Sequence, residues 1–214
     1  MNALKVVYFD IGGVLIEDPA PRMIEYFAKR LEWRIEDYAR VSPVWMERFQ
    51  RGTIDEASFW RGVAEDLGRP RGEPLEGLWG PAFVEAYIEQ PPMHAFARAM
   101  KARGLATGVL SNTEIPAVAH FNSRGYDCFD HLVFSCECGF AKPEPAIYEH
   151  ALSLAGASPG ECMFIDDKPE NVEAAARMGI HAHRFDGNWT ALADRLAESG
   201  IKFRFPANAP GQRC

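Results

Sequence analysis

The chain has 214 residues, 47% of them hydrophobic, which is enough for one sizeable core or for a core with a small accessory domain. A formal net charge of −7, with no stripe rich in lysine and arginine, argues against binding to nucleic acid. No apolar stretch is long enough to span a membrane. The N-terminus lacks the layout of a signal peptide, and the odd count of five cysteines does not indicate secretion. We therefore expect a cytoplasmic protein whose thiols are unpaired.

Short apolar runs that alternate with helical patterns predict an α/β fold with a Rossmann-like parallel sheet, covered by helices on both faces. The predicted strands are Leu4–Phe9, Ala106–Leu110, His131–Phe134, Cys162–Ile165 and His181–Phe185. The helices predicted between them are Pro92–Arg103, Ile115–Arg124, Pro143–Ala155 and Pro169–Met178. Prolines at or near the starts of these helices fit the preference of the first helical turn.

A long helical stretch interrupts this alternation after the first strand. Its predicted helices are Arg22–Leu31, Ile35–Gln50, Asp55–Leu67 and Leu75–Ile88. We predict an α/β core of residues 1–16 and 91–205, a helical cap of residues 17–90 and a flexible tail of residues 206–214. An insertion at this point lies over the carboxyl ends of the strands, where ligands bind in such sheets, so the cap is a candidate lid.

The cap is rich in aromatic residues, among them four of the five tryptophans. We expect most of them to form a small core, with one or two facing a substrate. The aromatic residues in question are Trp33, Trp45, Trp60, Trp79, Phe27, Phe49, Phe59, Phe83 and Tyr87.

Polar residues follow the first two predicted strands directly. Asp10 ends the first strand, and Gly12 and Gly13 then allow the backbone to approach a bound group closely. Ser111 ends the second strand just before a helix, where it could cap that helix or bind an oxyanion. Taken singly, each of these residues has an ordinary structural explanation.

A lysine and an acid pair occupy corresponding positions later in the chain. Lys142 stands directly before a proline-started helix, and Asp166 and Asp167 follow the fourth strand. Because the carboxyl ends of parallel strands converge at one edge of a sheet, we expect these side chains to meet Asp10 there. Mg²⁺ prefers carboxylates together with phosphate oxygens and water. The set therefore predicts a magnesium-assisted phosphoryl site with a carboxylate nucleophile.

Four segments in this order resemble the motifs of the haloacid dehalogenase-like hydrolase superfamily: FDIGGVL, VLSNT, the lysine of GFAKPEPAIYEHAL, and FIDDKPENVEAA. The resemblance covers Leu4–Ile16 and Pro92–Leu196, and it implies that superfamily's core fold with a cap of the type inserted after the first motif. Within the cap, RGTIDEASFW is similar to a stretch found in the sugar 1-phosphate phosphatase branch.

The resemblance also implies roles for individual residues. Asp10 would be the nucleophile and a ligand of Mg²⁺, and the carbonyl of Gly12 and the carboxylate of Asp166 would complete the direct protein ligands. Asp167 would hold metal-bound water or orient Lys142. The substrate would be a small phosphorylated metabolite, hydrolysed through an aspartyl-phosphate. The implied phosphate-binding residues are Gly12, Gly13, Ser111, Asn112 and Lys142, with Asn171 in support.

Gly12 departs from the superfamily's pattern, because most of its phosphatases carry a second aspartate there as general acid and base. Such a group typically contributes about 10²–10⁴-fold in rate, so we expect poor leaving groups to react slowly. Three interpretations stay open. The substrate has a good leaving group, such as an anomeric sugar phosphate or an acyl phosphate; or Glu17, Asp18 or water supplies the proton; or the protein does not hydrolyse phosphate.

The third interpretation includes a dehalogenase acting on 2-haloacids, a phosphoacceptor module and a non-catalytic phosphate-binding protein. The adjacent carboxylates of Asp166 and Asp167 suit a cation that dehalogenation does not need, and they favour the phosphatase. The sequence indicates no oligomeric state.

Overall fold

Five parallel strands form one sheet, in the order β3-β2-β1-β4-β5, in the computed structural model, which describes residues 3–69, 75 and 77–205. The strands are β1 Val6–Phe9, β2 Ala106–Ser111, β3 His131–Phe134, β4 Cys162–Asp166 and β5 His181–Arg184. The five predicted strands are therefore confirmed, with bounds shifted by two residues at most. The predicted tail, residues 206–214, lies outside the described residues.

The central strand β1 is buried on both faces, since alternate side chains enter different cores. On one face, the ring of Phe9 packs edge-to-face against Phe96, with centroids 5.7 Å apart. On the other face, the hydroxyl of Tyr8 donates to the carbonyl of Ala151 at 2.8 Å. Gly108 stands opposite Tyr8 in β2, and a Cβ at this glycine would lie 2.4 Å from the tyrosine ring. A glycine here lets the ring lie flat on the neighbouring strand.

Helices cover both faces of the sheet and form the insertion after β1. The insertion contains α1 Ala20–Leu31, α2 Ile35–Gln50, α3 Glu56–Asp66 and α4 Trp79–Ala86. The helices after it are α5 Pro91–Ala102, α6 Ile115–Ser123, α7 Ser135–Cys138, α8 Pro145–Ala155, α9 Pro169–Arg177 and α10 Trp189–Glu198. Neither α7 nor α10 was expected from the sequence.

Two predicted helices begin at least two residues later than expected, for identifiable reasons. The helix expected to start at Leu75 begins at Trp79, because the Glu56 carboxylate accepts the N–H groups of Leu78 and Trp79, both at 2.8 Å, and caps this end. The helix expected to start at Pro143 begins at Pro145, because residues 141–144 form a turn in which the N–H of Glu144 donates to the carbonyl of Ala141 at 2.9 Å.

The insertion returns to the core where its two connections lie side by side. The N–H of Glu17 donates to the carbonyl of Ile88 at 2.8 Å, and the N–H of Gln90 donates to the carbonyl of Leu15 at 2.8 Å. This pairing holds the entry and exit of the helical insertion together. The assignment of residues 17–90 to a separate domain stays a prediction.

Aromatic rings form the core of the insertion, as expected. Phe27 packs edge-to-face on Trp60 with centroids 4.7 Å apart, and it stacks on Trp79 at 5.1 Å. Phe49 and Phe59 are buried in the same cluster, whereas Trp33 and Trp45 pack at its margin and are only partly buried. The Trp45 indole instead donates to Asp66 at 2.8 Å.

The four cysteines of the described ranges, Cys128, Cys136, Cys138 and Cys162, are free thiols, as expected. Among the helices described, none combines the length and the apolar character that crossing a membrane requires.

Candidate active site

Strand pairing places two carboxylates beside each other at the carboxyl edge of the sheet. Phe9 of β1 stands opposite Ile165 of β4, so the next residues, Asp10 and Asp166, are neighbours. Asp10 is 6% exposed and Asp166 is fully buried. Burial of carboxylates is costly unless a cation and hydrogen bonds compensate it. The sheet register therefore places two carboxylates where they need a nearby positive charge to be stable.

The ammonium group of Lys142 supplies one positive charge to both carboxylates. Its Nζ lies 3.0 Å from Asp10 Oδ2 and 2.6 Å from Asp166 Oδ2, and the side chain is 1% exposed. It donates its third hydrogen bond to the carbonyl of Leu110 at 2.9 Å. Burial opposes the charge on Lys142, but the two carboxylates outweigh this and raise its pKa. The structure thus brings together the three residues on which the predicted site depends.

Asn112 holds the main chain of Lys142 in place. Its Nδ2 donates to the Lys142 carbonyl at 2.8 Å, and its Oδ1 accepts from the Lys142 N–H at 2.8 Å. This double hydrogen bond makes Asn112 a positioning residue for Lys142. Its implied contact with phosphate stays a prediction. Ser111 is buried at the end of β2 and opposes the rise in the pKa of the Asp10 carboxyl.

The two adjacent aspartates have different surroundings. Asp166 accepts from Lys142, from the N–H of Lys168 at 2.8 Å, and from Asn171 Nδ2 at 3.1 Å on both oxygens. Each oxygen of this carboxylate therefore accepts two hydrogen bonds, one of them shared through Asn171. By contrast, Asp167 Oδ1 is buried without a hydrogen-bond partner among the residues that the structure describes. This contrast favours Asp167 over Asp166 as a direct metal ligand, the reverse of the roles implied by the resemblance.

The donor set fits a hard divalent cation. Oxygens of Asp10, Asp166 and Asp167 lie within 4.8 Å of one another. Three carboxylates and one ammonium sum to a charge of about −2 when all are ionised, which Mg²⁺ would neutralise. Burial raises the pKa of Asp10 to about 6, although Lys142 works against this shift. Burial and the neighbouring Asp166 also raise the pKa of Asp167.

The two glycines after the nucleophile candidate have different functions. Gly12 lines the cavity in front of Asp10, whereas Gly13 is absent from the cavity lining formed by described residues. Gly13 has a φ of 74°, and a Cβ there would lie 2.6 Å from Cγ of Asp167. Gly13 therefore makes room for the Asp167 carboxylate, and its implied contact with phosphate stays a prediction.

Replacement of Gly13 by alanine is expected to lower the free energy of unfolding by about 1–3 kcal/mol, since the new Cβ meets both backbone strain and the Asp167 side chain. Urea unfolding measures this loss. Gly12→Ala is the matched control: its Cβ would approach only the Pro19 ring, with Cδ at 3.1 Å, and the glycine is not among those with a positive φ. A Gly13→Ala loss no larger than that of Gly12→Ala would contradict the assigned role.

A cavity of about 390 Å³ opens in front of Asp10, between the sheet edge and the helical insertion. Lys142, Ser111 and Asp167 line its polar end. Its other walls come from α1, α2 and α4 and are mostly apolar; they include Met23, Ile24, Phe27, Tyr38, Ser42, Met46, Gln50, Trp79 and Phe83. A small organic phosphate fits such a mixed lining.

The residues of the stretch RGTIDEASFW make structural contacts, both within the insertion and from the insertion to the core. Arg51 pairs with Glu144 at 2.5 Å, Asp55 caps α3 by accepting from the Ser58 N–H at 2.8 Å, and Trp60 is fully buried. No residue of the stretch lines the cavity at Asp10, as far as the described residues define it. The similarity of this stretch to sugar 1-phosphate phosphatases therefore concerns residues that stabilise the insertion, not residues that line the cavity.

The acids proposed as substitutes for the second aspartate lie at the surface. Asp18 lines the cavity but is exposed, and its Oδ1 accepts the N–H of Ala20 at 3.0 Å. Glu17 is exposed and pairs with Arg22 at 3.3 Å. Either role as general acid stays a prediction.

Sequence reasoning missed one buried acid in the cavity wall. Glu114 is 6% exposed and accepts from Gln50 Nε2 at 2.8 Å and from Trp79 Nε1 at 3.1 Å, both in the helical insertion. Its position just before α6 is typical of an exposed acid in a first helical turn, which hid it. The polar residues that precede it, Ser111 to Thr113, were the signal that the loop faces the site.

A pH titration of stability is expected to reveal Glu114. Burial raises its pKa to about 7 from 4.5, despite the hydrogen bonds from Gln50 and Trp79. The folded protein therefore holds a proton that the unfolded chain has lost, and this stabilisation disappears as pH rises towards and through about 7. Between pH 5 and pH 8, we expect wild type to lose about 2–3 kcal/mol of unfolding free energy more than Glu114→Gln.

The comparison between the two proteins isolates this carboxyl. The groups that act on it electrostatically are the phenol of Tyr38, the thiol of Cys136 and the exposed ammonium of Lys168. Burial raises the pKa of Tyr38 and raises that of Cys136 to about 12, so neither titrates in this range. Parallel pH profiles for the two proteins would show that Glu114 is ionised in the folded state across the range.

A parallel α/β core whose strand ends gather three carboxylates and one ammonium beneath a helical cap defines an enzyme with a buried acidic site. The chain belongs to the haloacid dehalogenase-like hydrolase family, whose model matches residues 4–179. The fold and the family membership expected from the sequence are thereby confirmed.

Curated relatives share about a quarter of their residues with this chain. Acyl-CoA dehydrogenase family member 10 of Mus musculus is 27% identical over 94% of the chain, which spans only 20% of that relative's length. The sesquiterpene phosphatase of Aspergillus oryzae is 28% identical over 84% of the chain and 88% of its own length.

Solved structures share the fold. A HAD family enzyme from Bacteroides thetaiotaomicron, crystallised with magnesium and inorganic phosphate, is 25% identical with a TM-score of 0.72, over 89% of this chain and 99% of its own. The L-2-haloacid dehalogenase of Xanthobacter autotrophicus, with chloropropionic acid covalently bound, is 20% identical with a TM-score of 0.63, over 96% of this chain and 91% of its own.

Proposed function

We propose that this protein is a magnesium-dependent phosphatase that hydrolyses a small phosphorylated metabolite through a phosphoryl group carried on Asp10. The observation that carries the proposal is the cluster of the buried Asp10, Lys142 and Asp166 with the partly buried Asp167, at the floor of a cavity sized for a small molecule. The phosphatase name of a relative aligned over most of both chains supports the same reaction class.

Each residue of the cluster has a proposed part in the reaction. A carboxylate oxygen of Asp10 attacks phosphorus, the bond from phosphorus to the leaving oxygen breaks, and the leaving group takes up a proton. Water then attacks the aspartyl-phosphate, releasing inorganic phosphate and restoring Asp10. Lys142 and Ser111 stabilise the transferring group, while Asp166 and Asn112 hold Lys142 in position.

The metal would be held by Asp10, Asp167 and the carbonyl of Gly12, with Asp166 behind them. When bound, Mg²⁺ supplies positive charge that stabilises the transferring phosphoryl group. The orphaned oxygen of Asp167 supports this assignment, because a buried carboxylate oxygen without a partner is otherwise costly.

Gly12 offers no acid for the leaving group, so the proposed substrate is one whose alcohol leaves readily. A sugar 1-phosphate meets this condition and stays a prediction. The apolar walls contributed by α1, α2 and α4 argue against it, since a sugar's hydroxyl groups need polar partners.

The dehalogenase alternative is less well supported. A dehalogenase attacks carbon and needs no cation, whereas the acids here exceed the single ammonium by two charges. Chloride release from 2-chloropropionate, with no hydrolysis of phosphate esters, would overturn the phosphatase proposal.

Removal of the metal is expected to abolish turnover of p-nitrophenyl phosphate, and excess Mg²⁺ to restore it. Asp167→Asn is expected to raise the Mg²⁺ concentration for half-maximal activity by at least about tenfold, because a ligand charge is lost. Titration of activity with Mg²⁺ measures this shift. The matched control is Asp186→Asn, an exposed aspartate after β5 that is absent from the acidic cluster.

The same titration separates the two adjacent acids. Asp166→Asn removes the partner of Lys142, so we expect it to lower activity at every Mg²⁺ concentration with a smaller shift of the midpoint. If Asp166→Asn shifted the midpoint more than Asp167→Asn, Asp166 would be the direct ligand.

A further inference from the structure

The chemistry proposed at Asp10 makes no use of Glu114. This carboxyl lines the same cavity, and its two hydrogen-bond donors, Gln50 on α2 and Trp79 on α4, are neutral. In the part of the chain that the structure describes, no cationic side chain forms an ion pair with it within 4.0 Å. An acid buried in a cavity wall without a cation is costly, and a bound ligand that carries positive charge would relieve that cost.

Aromatic rings surround the same part of the cavity. Phe27, Tyr38, Trp79 and Phe83 all line it, and Trp79 carries the indole N–H that contacts Glu114. The faces of aromatic rings attract cations, most strongly when the site is shielded from water. A carboxylate among aromatic rings is a combination suited to an ammonium group.

A bound cation favours the ionised form of Glu114, whose negative charge adds to that of the acidic cluster rather than balancing it. A divalent cation would neutralise the net charge of Asp10, Lys142, Asp166 and Asp167. Glu114 then remains as a separate negative charge in the cavity, and the exposed Lys168 acts on it only from beyond ion-pair distance. The charges of the acidic cluster and of Glu114 therefore suit a ligand with a phosphate at one end and a cationic group at the other.

We propose that Glu114 and the aromatic rings bind a positively charged nitrogen, so that the substrate is a phosphomonoester of an alcohol bearing an ammonium group. This inference rests on the proposed function for its phosphate end and on the cavity wall for its cationic end. An ammonium near the hydroxyl also lowers the pKa of that alcohol and makes it a better leaving group. Such a substrate suits a site in which Gly12 replaces the usual acid.

The first experiment tests the cationic end without any phosphate chemistry. Binding of choline and of neohexyl alcohol, in which carbon replaces the charged nitrogen, is measured by calorimetry on wild type and Glu114→Gln. We expect wild type to bind choline about tenfold or more tightly, and Glu114→Gln to bind the two nearly equally. Glu36→Gln, an exposed acid on α2, is the matched control and is expected to keep the wild-type preference.

The second experiment connects this site to turnover. The ratio of kcat/KM for choline phosphate to that for neohexyl phosphate is measured with Mg²⁺, and p-nitrophenyl phosphate is assayed alongside. We expect Glu114→Gln to lower this ratio by about tenfold, and a preference that remains in the variant reflects choline being the better leaving group.

Failure of this inference and failure of the proposed function give different results. Equal binding of choline and neohexyl alcohol by wild type, or an unchanged preference in Glu114→Gln, would overturn the ammonium site. So would a preference for hydroxyethyl phosphate over choline phosphate, since Glu114 would then serve a neutral hydroxyl. If choline binds through Glu114 but no phosphomonoester is hydrolysed, the ammonium site stands and the phosphatase proposal fails.

Discussion

Asp10→Asn is expected to lower kcat for p-nitrophenyl phosphate by at least about 10⁴-fold, because an amide cannot form the covalent intermediate. The carboxylate at this position is held for attack by the N–H of Ile11 at 2.7 Å on one oxygen and by Lys142 at 3.0 Å on the other. Asparagine keeps nearly the same shape, so the loss reports the chemistry rather than a disturbed fold. Steady-state assays with saturating Mg²⁺ measure it.

Two further measurements make this result specific. Asp186→Asn removes an exposed carboxylate after β5 and is expected to stay within about twofold of wild type. Acid quenching of wild type during turnover of a radiolabelled substrate should trap label on the protein, and Asp10→Asn should trap none. Turnover by Asp10→Asn at a rate near that of wild type would eliminate Asp10 as the nucleophile.

The strands could be predicted because their patterns are local. Each buried run, such as Val6–Phe9, ends at a polar or turn residue, and the parallel arrangement follows from the helices between runs. Helix α10 was missed although its signals are present: Asn188 caps it by accepting from the Ala191 N–H at 3.0 Å, and Trp189 is fully buried. These residues lie inside the predicted core of residues 91–205, but no helix was predicted there.

The sequence predicted which residues come together at the site, but it predicted the role of each residue less well. Convergence of Asp10 and Lys142 follows from sheet topology, which places strand ends at one edge. The division of labour between Asp166 and Asp167 depends on which carboxylate Lys142 and Asn171 contact, and adjacent residues in a sequence do not reveal that.

Glu114 escaped prediction for a related reason. Its burial arises from contacts with Gln50 and Trp79, which lie 64 and 35 residues away along the chain. A sequence pattern reports the chance that an acid is exposed, and only tertiary packing of the insertion against the core reverses that expectation.

Lys142→Met is expected to lower the free energy of unfolding by about 3–5 kcal/mol in the absence of metal, because it leaves Asp10 and Asp166 buried without their cation. Both carboxylates contact the ammonium directly, at 3.0 and 2.6 Å. Methionine has a similar length and fills the space, so the loss reports charge rather than a cavity. Urea unfolding followed by tryptophan fluorescence measures it.

Two comparisons make the origin of this loss testable. Lys168→Met removes an exposed ammonium that lines the same cavity, and its stability is expected to change by less than about 0.5 kcal/mol. Mg²⁺ is expected to stabilise Lys142→Met more than it stabilises wild type, because the divalent cation then offsets acids that the lysine no longer serves. Equal stabilisation of both proteins by Mg²⁺ would mean that the ammonium and the cation act on separate groups of carboxylates. That result would contradict the assignment of Lys142 and Mg²⁺ to one shared acidic cluster.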